Sequence, residues 1–198
     1  MGTRGLFGFY YKGKYYVVYN HFDSYPSSLG IEVIKQLMIA DLSKWKEMLE
    51  NIKVVSLENG PNPTEADVEA LKKYTNLSVS SQDENDWYCL LRDCQGSMKE
   101  VLESGYLLNT VDENGDPLFE EYAYIWNFDT DMLDFYIESD LKSSSKFEDL
   151  KTLAVKFESD MEDETPICLN PVCGPLYPSL LLETNQHGIY SDYGIYSD

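Results

Sequence analysis

Between positions 20 and 26 the chain reads Asn20-His21-Phe22-Asp23-Ser24-Tyr25-Pro26, which packs an amide, an imidazole, a carboxylate, a hydroxyl and a phenol into one short stretch. A histidine with a carboxylate and a hydroxyl nearby is the set of groups that acyl-transfer enzymes use as base, orienting acid and nucleophile. If the chain stays extended over 19–23, His21 and Asp23 share one face and Phe22 takes the other. Thr3 would add a second hydroxyl, and Arg4 a cation able to hold a substrate carboxylate or an oxyanion. The candidate catalytic residues are therefore Thr3, Arg4, His21 and Asp23, with Asn20, Ser24 and Tyr25 as candidate binding residues.

The element that must position them is a hairpin. Two runs rich in Phe, Tyr and Val, over 3–11 and 15–22, flank Lys12-Gly13-Lys14. Such residues suit a pleated, half-buried surface, and the glycine supplies a turn that tolerates positive φ. Antiparallel pairing brings the end of the second run beside the start of the first, which is how Thr3 and Arg4 would meet His21 and Asp23.

The residues Thr3, Arg4, Gly5, Tyr19, Asn20, His21, Asp23, Ser24, Tyr25, Pro26 and Gly30 resemble the motif of an uncharacterised family found in fungi, large DNA viruses and phages. In the phage members the matching segment reads Tyr-x-His-x-Asp-Gly-Tyr-Pro. The resemblance covers residues 1–30, and beyond residue 40 it is confined to a later hairpin. It implies a family without implying an activity. In layout the opening hairpin is also similar, more distantly, to that of N-terminal nucleophile (Ntn) hydrolases, whose first strand carries the nucleophile. That similarity implies an αββα sandwich. It departs from those enzymes in its residues: removal of Met1 would expose Gly2, which leaves Thr3 one position too deep to be the terminal nucleophile. Fold likeness does not carry chemistry with it.

Acidic residues outnumber basic ones 35 to 15 in the 198-residue chain, for a formal net charge of −20. Nucleic-acid binding needs clustered Lys and Arg, so this balance argues against it, and against anionic membrane surfaces too. It favours protein partners with basic surfaces, or a merely solvated acidic exterior. The opening lacks a long apolar signal-peptide core, no run approaches the length of a membrane span, and Leu6 stands where a myristoylation pattern needs Ser or Thr. We expect a soluble intracellular protein, with virion association as one setting. No cofactor is expected.

The cysteines fall in two pairs of equal spacing, Cys89 with Cys94 and Cys168 with Cys173. On a helix the first pair faces apart, so buried, reduced thiols are the expectation, with a zinc site as the alternative. The turn 112–117 resembles a calcium loop but holds Pro117 and has Ala123 where the twelfth-position glutamate belongs, so a solvated acidic turn is expected.

Apolar spacing predicts helices over 29–40, 41–51, 64–74, 87–93, 97–103 and 146–156, with Thr64 as an N-cap answered by Asp67. Short strands are expected over 54–57 and 106–111. A second hairpin spans 120–128 and 132–138, with Tyr122, Tyr124, Trp126 and Phe128 on one face and Leu133, Phe135 and Ile137 on another. Local pairing with helices gathered between hairpins gives an α+β fold class: antiparallel sheet packed against helices on one face, or the Ntn-type sandwich of two sheets. One domain over 1–157 is followed by an acidic, Pro-rich extension over 158–198 that ends in the repeat Gly-Ile-Tyr-Ser-Asp.

Two functions compete for these features. In the first, the chain is a non-catalytic structural or interaction protein, a virion or assembly component, and the polar cluster locks the hairpin to the first helix. In the second, Thr3, Arg4, His21 and Asp23 form the site of an Ntn-type amide hydrolase or of a small-ligand-binding protein.

Overall fold

The computed structural model describes residues 2–57 and 60–159. The opening hairpin forms as expected: β1 (Gly5–Tyr11) and β2 (Lys14–Asn20) pair antiparallel, and Lys12 and Gly13 both take positive φ in the two-residue turn, as a tight hairpin requires. The second hairpin is β5 (Tyr122–Asn127) with β6 (Met132–Ile137), extended by β7 (Asp140–Lys146). The two hairpins join through a parallel pairing of β1 with β5, so the five-stranded sheet has the order β2-β1-β5-β6-β7. It is a mixed sheet and not the purely antiparallel one expected. β1 and β5 are central strands apolar on both faces, and such strands sit in a parallel pair as readily as in an antiparallel one. The carboxylate of Asp129, in the turn after β5, accepts from the backbone N–H groups of Lys12 and Gly13 at 3.0 and 3.1 Å and ties the two hairpin turns together.

Helices cover one face of this sheet. They are α1 (Ile31–Ile39), α2 (Leu42–Glu50), α3 (Glu65–Leu71), α4 (Trp87–Leu90), α5 (Met98–Ser104) and α6 (Leu150–Ser159). β3 (Lys53–Val55) and β4 (Tyr106–Leu108) form a separate parallel pair. The fold is therefore α+β with one main sheet, and the second large sheet of an αββα sandwich is not among the described residues. The helix-covered face holds the main core: Phe7, Phe9, Tyr124, Trp126, Leu133 and Phe135, with Trp45 edge-on to Phe9 and Phe157 edge-on to Tyr124. Register places Leu133 opposite Trp126 and Phe135 opposite Tyr124, so these two sets share the same face rather than two. The other face carries the smaller cluster of Leu6, Val17, Ala123 and Ile125, against which Val111 and Phe119 pack. Fully burying an aromatic or branched side chain contributes about 1.5–3 kcal/mol, so the helix-covered face dominates stability.

Helix bounds differ modestly from the expected ones. A π-helical turn, Pro26–Gly30, precedes α1, while 3-10 turns over Arg92–Cys94 and Phe147–Asp149 follow α4 and precede α6. α6 runs on to Ser159. The extension beyond it, with Cys168, Cys173 and the terminal repeat, lies outside the described residues.

β2 is an edge strand, and its exposed ladder is capped by a side chain. Asn109 accepts from Val17 N–H at 2.9 Å through Oδ1 and donates to the Tyr15 carbonyl at 3.2 Å through Nδ2; Thr110 N–H then donates to the Val17 carbonyl. Asn109 thus imitates one unit of a neighbouring strand and protects the edge. Replacing Asn109 by Ala is expected to cost about 1 kcal/mol and to accelerate exchange of the Val17 amide. Unchanged hydrogen-exchange protection at Val17 would contradict this role.

Candidate functional site

The candidate site begins where β2 ends. Asn20 is the last residue of that strand and lies opposite Gly5. Its Nδ2 donates to the Phe22 carbonyl at 2.5 Å and to Ser24 Oγ at 2.9 Å, which bends the chain out of the strand. Asp23 then takes a positive φ of 52°. The extended geometry expected over 19–23 is replaced by this turn, because the Asn20 amide offers the backbone a closer partner than a strand neighbour.

Ser24 is fully buried at the centre of the joint. Its backbone N–H donates to the Thr3 carbonyl at 3.2 Å, its hydroxyl donates to the Asn20 carbonyl at 3.4 Å, and its own carbonyl accepts from the Tyr124 hydroxyl at 3.0 Å. A Cβ at Gly5 would come within 2.7 Å of both Ser24 Cβ and the Tyr122 carbonyl oxygen, so glycine is what lets β1 approach this close. Four segments meet here: the residues before β1, the end of β2, β5, and the turn that leads into α1.

The seven candidate residues divide accordingly. Thr3, Asn20 and Ser24 are buried within the joint. Arg4 is exposed, and its backbone N–H donates to Glu121. Asp23 is exposed, and its carboxylate makes no hydrogen bond or ion pair among the described residues, while its backbone carbonyl accepts from Leu29 N–H. Tyr25 is exposed, its ring 6.3 Å from that of Tyr122. No side-chain hydrogen bond or ion pair joins Thr3, Arg4, His21 and Asp23 to one another among the described residues.

His21 belongs to different surroundings. Its Nδ1 shares a 2.9 Å hydrogen bond with the Tyr19 hydroxyl, and its ring lies edge-on to Phe22. Burial raises the Tyr19 phenol's pKa, an effect opposed by the nearby guanidinium groups of Arg4 and Arg92. Tyr19, His21 and Phe22 line an open cleft of about 530 Å³ together with Val79, Ser80, Tyr88 and Arg92. The chemistry on offer there is hydrogen-bond donation from phenols, imidazole and guanidinium. Among the described residues, no carboxylate lines this cleft to orient the histidine as a base. Sequence reasoning missed Tyr19, Tyr88 and Arg92 as cleft residues. Tyr19 carried a signal as a residue of the motif, and Arg92 carried one as a lone cation in the apolar segment Leu90-Leu91-Arg92.

Cys89 and Cys94 are buried free thiols. Burial pushes the Cys94 thiol up to about 12, so it is protonated and unreactive at neutral pH. Among the described residues no three His, Cys, Asp or Glu side chains converge as metal ligands. In the 112–117 turn the Asp112 carboxylate accepts from the backbone N–H groups of Asn114 and Asp116, at 2.8 and 3.0 Å, and so folds its own loop. Among the described residues, no helix is long and apolar enough to cross a membrane.

No family model, curated protein or solved structure matches this chain. The functional reading therefore rests on the geometry.

Proposed function

We propose that the chain is a non-catalytic structural or interaction protein. Its acidic exterior would recognise proteins with basic surfaces, in an assembly such as a virion. One observation carries the reading: the polar motif residues Asn20 and Ser24 satisfy each other and the backbone inside a buried joint. A hydroxyl with no solvent access does not meet a substrate, and the carboxylate best placed in sequence to orient His21 stands free of it. The charge of −20 supplies the interaction term, since an acidic surface steers basic partners and repels acidic ones.

The test is intact-mass analysis of the native protein, and of its His21→Ala variant, after treatment with a broad amine- and hydroxyl-reactive probe. The expected result is no residue whose labelling depends on His21. Selective labelling of Thr3 or Ser24 that vanishes in His21→Ala would overturn the reading in favour of an amide hydrolase.

A further inference from the structure

The cleft beside His21 gathers donors, and among the described residues no carboxylate lines it to answer them. Arg92 is half-buried; its Nη1 donates to Gln95 Oε1 at 2.7 Å, and its Nε is buried with no partner among the described residues. Every ion pair among the described residues uses a lysine, so Arg92 has no carboxylate there, in a chain with 35 of them. Holding a guanidinium partly out of water with a donor unpaired costs free energy, and an anion at the open edge of the same group offsets that cost. Glu120 and Arg4 also act electrostatically on the Tyr19 hydroxyl, with opposite signs, and neither lines the cleft.

The residues that carry the donors come from separate elements. Tyr19, whose hydroxyl is already paired with His21 Nδ1, comes from β2, His21 from the turn after it, Tyr88 from α4 and Arg92 from the 3-10 turn. Donors arranged around a volume suit a tetrahedral oxyanion, which accepts from all sides. A planar carboxylate is better matched by a free guanidinium fork, and here Gln95 occupies one arm and the other lies buried. Phe22, 54% exposed, and Val79 add an apolar wall beside the donors.

We propose that this cleft binds a phosphate monoester carried on a flat, aromatic group, with Arg92, Tyr88 and His21 holding the phosphoryl oxygens and Phe22 and Val79 covering the ring. The ligand is a free aryl phosphate or the same group on a phosphotyrosine side chain. Binding involves no bond making or breaking.

The full-length chain is titrated with phenyl phosphate, inorganic phosphate, phenylacetate and a short phosphotyrosine peptide, by calorimetry and by the NMR shifts of the His21 ring. Phenyl phosphate is expected to saturate, to move the His21 resonances, and to bind about tenfold more tightly than inorganic phosphate or phenylacetate. Arg92→Gln is expected to weaken it by roughly 10- to 100-fold, with Lys142→Gln, far from the cleft, leaving it unchanged. Tyr88→Phe, which removes only a hydroxyl, gives a smaller loss in the same direction and serves if Arg92→Gln misfolds. Peptide binding at least as tight as phenyl phosphate assigns the side-chain source, and weaker binding the free one. Absence of saturation, shifts that spare His21, phenylacetate binding as tightly as phenyl phosphate, or equal affinity in both cleft variants would each overturn the proposal.

Discussion

Replacing Asp67 with alanine is expected to destabilise the protein by about 3 kcal/mol, among the larger effects a single substitution can produce here. Asp67 is buried at the start of α3 and accepts four hydrogen bonds. Lys53 Nζ and the Tyr106 hydroxyl donate to Oδ1 at 2.6 and 2.7 Å, and the Thr64 hydroxyl and backbone N–H donate to Oδ2 at 2.8 and 2.9 Å. The carboxylate thus completes the capping box of α3 and ties it to β3 and β4. The Lys53 ammonium, itself near the Trp87 and Tyr106 rings, is half-exposed, so solvent screens the ion pair and the uncharged donors supply most of the effect.

Asp67→Asn should cost nearly as much as Asp67→Ala. Asparagine offers one carbonyl oxygen where four donors converge, and its amide N–H groups would face the Thr64 N–H or Lys53.

The same cluster gives a pH dependence. The donors around Asp67, with Lys53 first among them, hold its carboxyl well below its ordinary value of 3.8. The unfolded chain therefore takes up the proton first as pH falls. The stability Asp67 contributes is complete above about pH 5 and is lost progressively as pH drops below about 4. In urea unfolding, the gap between wild type and Asp67→Ala should be full at pH 7 and should narrow towards pH 2.5. A gap that stays constant over that range would contradict the assignment.

Gly8→Ala is expected to cost more than about 3 kcal/mol, enough to lower the thermal midpoint by roughly 10 °C or to prevent folding. Gly8 sits in the middle of β1 with φ of +152°, a conformation that L residues rarely adopt. A Cβ there would lie 2.1 Å from the Tyr16 carbonyl oxygen and 2.9 Å from Val17 Cα. Both contacts are with the backbone of the paired strand, so relief requires β1 and β2 to separate. β1 also pairs with β5, and the strain would reach the strand that carries Tyr124 and Trp126. A Gly8→Ala variant with a midpoint within about 2 °C of wild type would show that the strand relaxes without cost.

The two hairpins and most helices were legible because their signals are local. Runs of Phe, Tyr and Val around a glycine turn mark β1 and β2, alternation marks β5 and β6, and Thr64 with Asp67 marks the start of α3. The parallel contact of β1 with β5 was not legible, since hydrophobic pattern does not name a partner across more than a hundred residues. β7 escaped because Asp140-Leu141-Lys142-Ser143-Ser144-Ser145-Lys146 is a mostly exposed edge strand with no apolar alternation. Asp67 read as a minor capping partner because Lys53 and Tyr106 reach it only through tertiary structure. At the candidate site, the motif residues were visible and their arrangement was not. Asn20 bends the chain at the point where continued extension was expected, so Ser24 enters the joint and His21 turns to Tyr19. The cleft partners Tyr88 and Arg92 lie about seventy residues away in sequence, beyond any local pattern.

The most direct test of the account is equilibrium urea unfolding of Asn20→Ala beside His21→Ala at pH 7. If Asn20 and Ser24 form a buried joint from which His21 has been released, Asn20→Ala loses about 2 kcal/mol and His21→Ala under about 1 kcal/mol. A His21→Ala loss equal to or larger than that of Asn20→Ala would contradict the account and place the histidine, not the amide, at the centre of the motif.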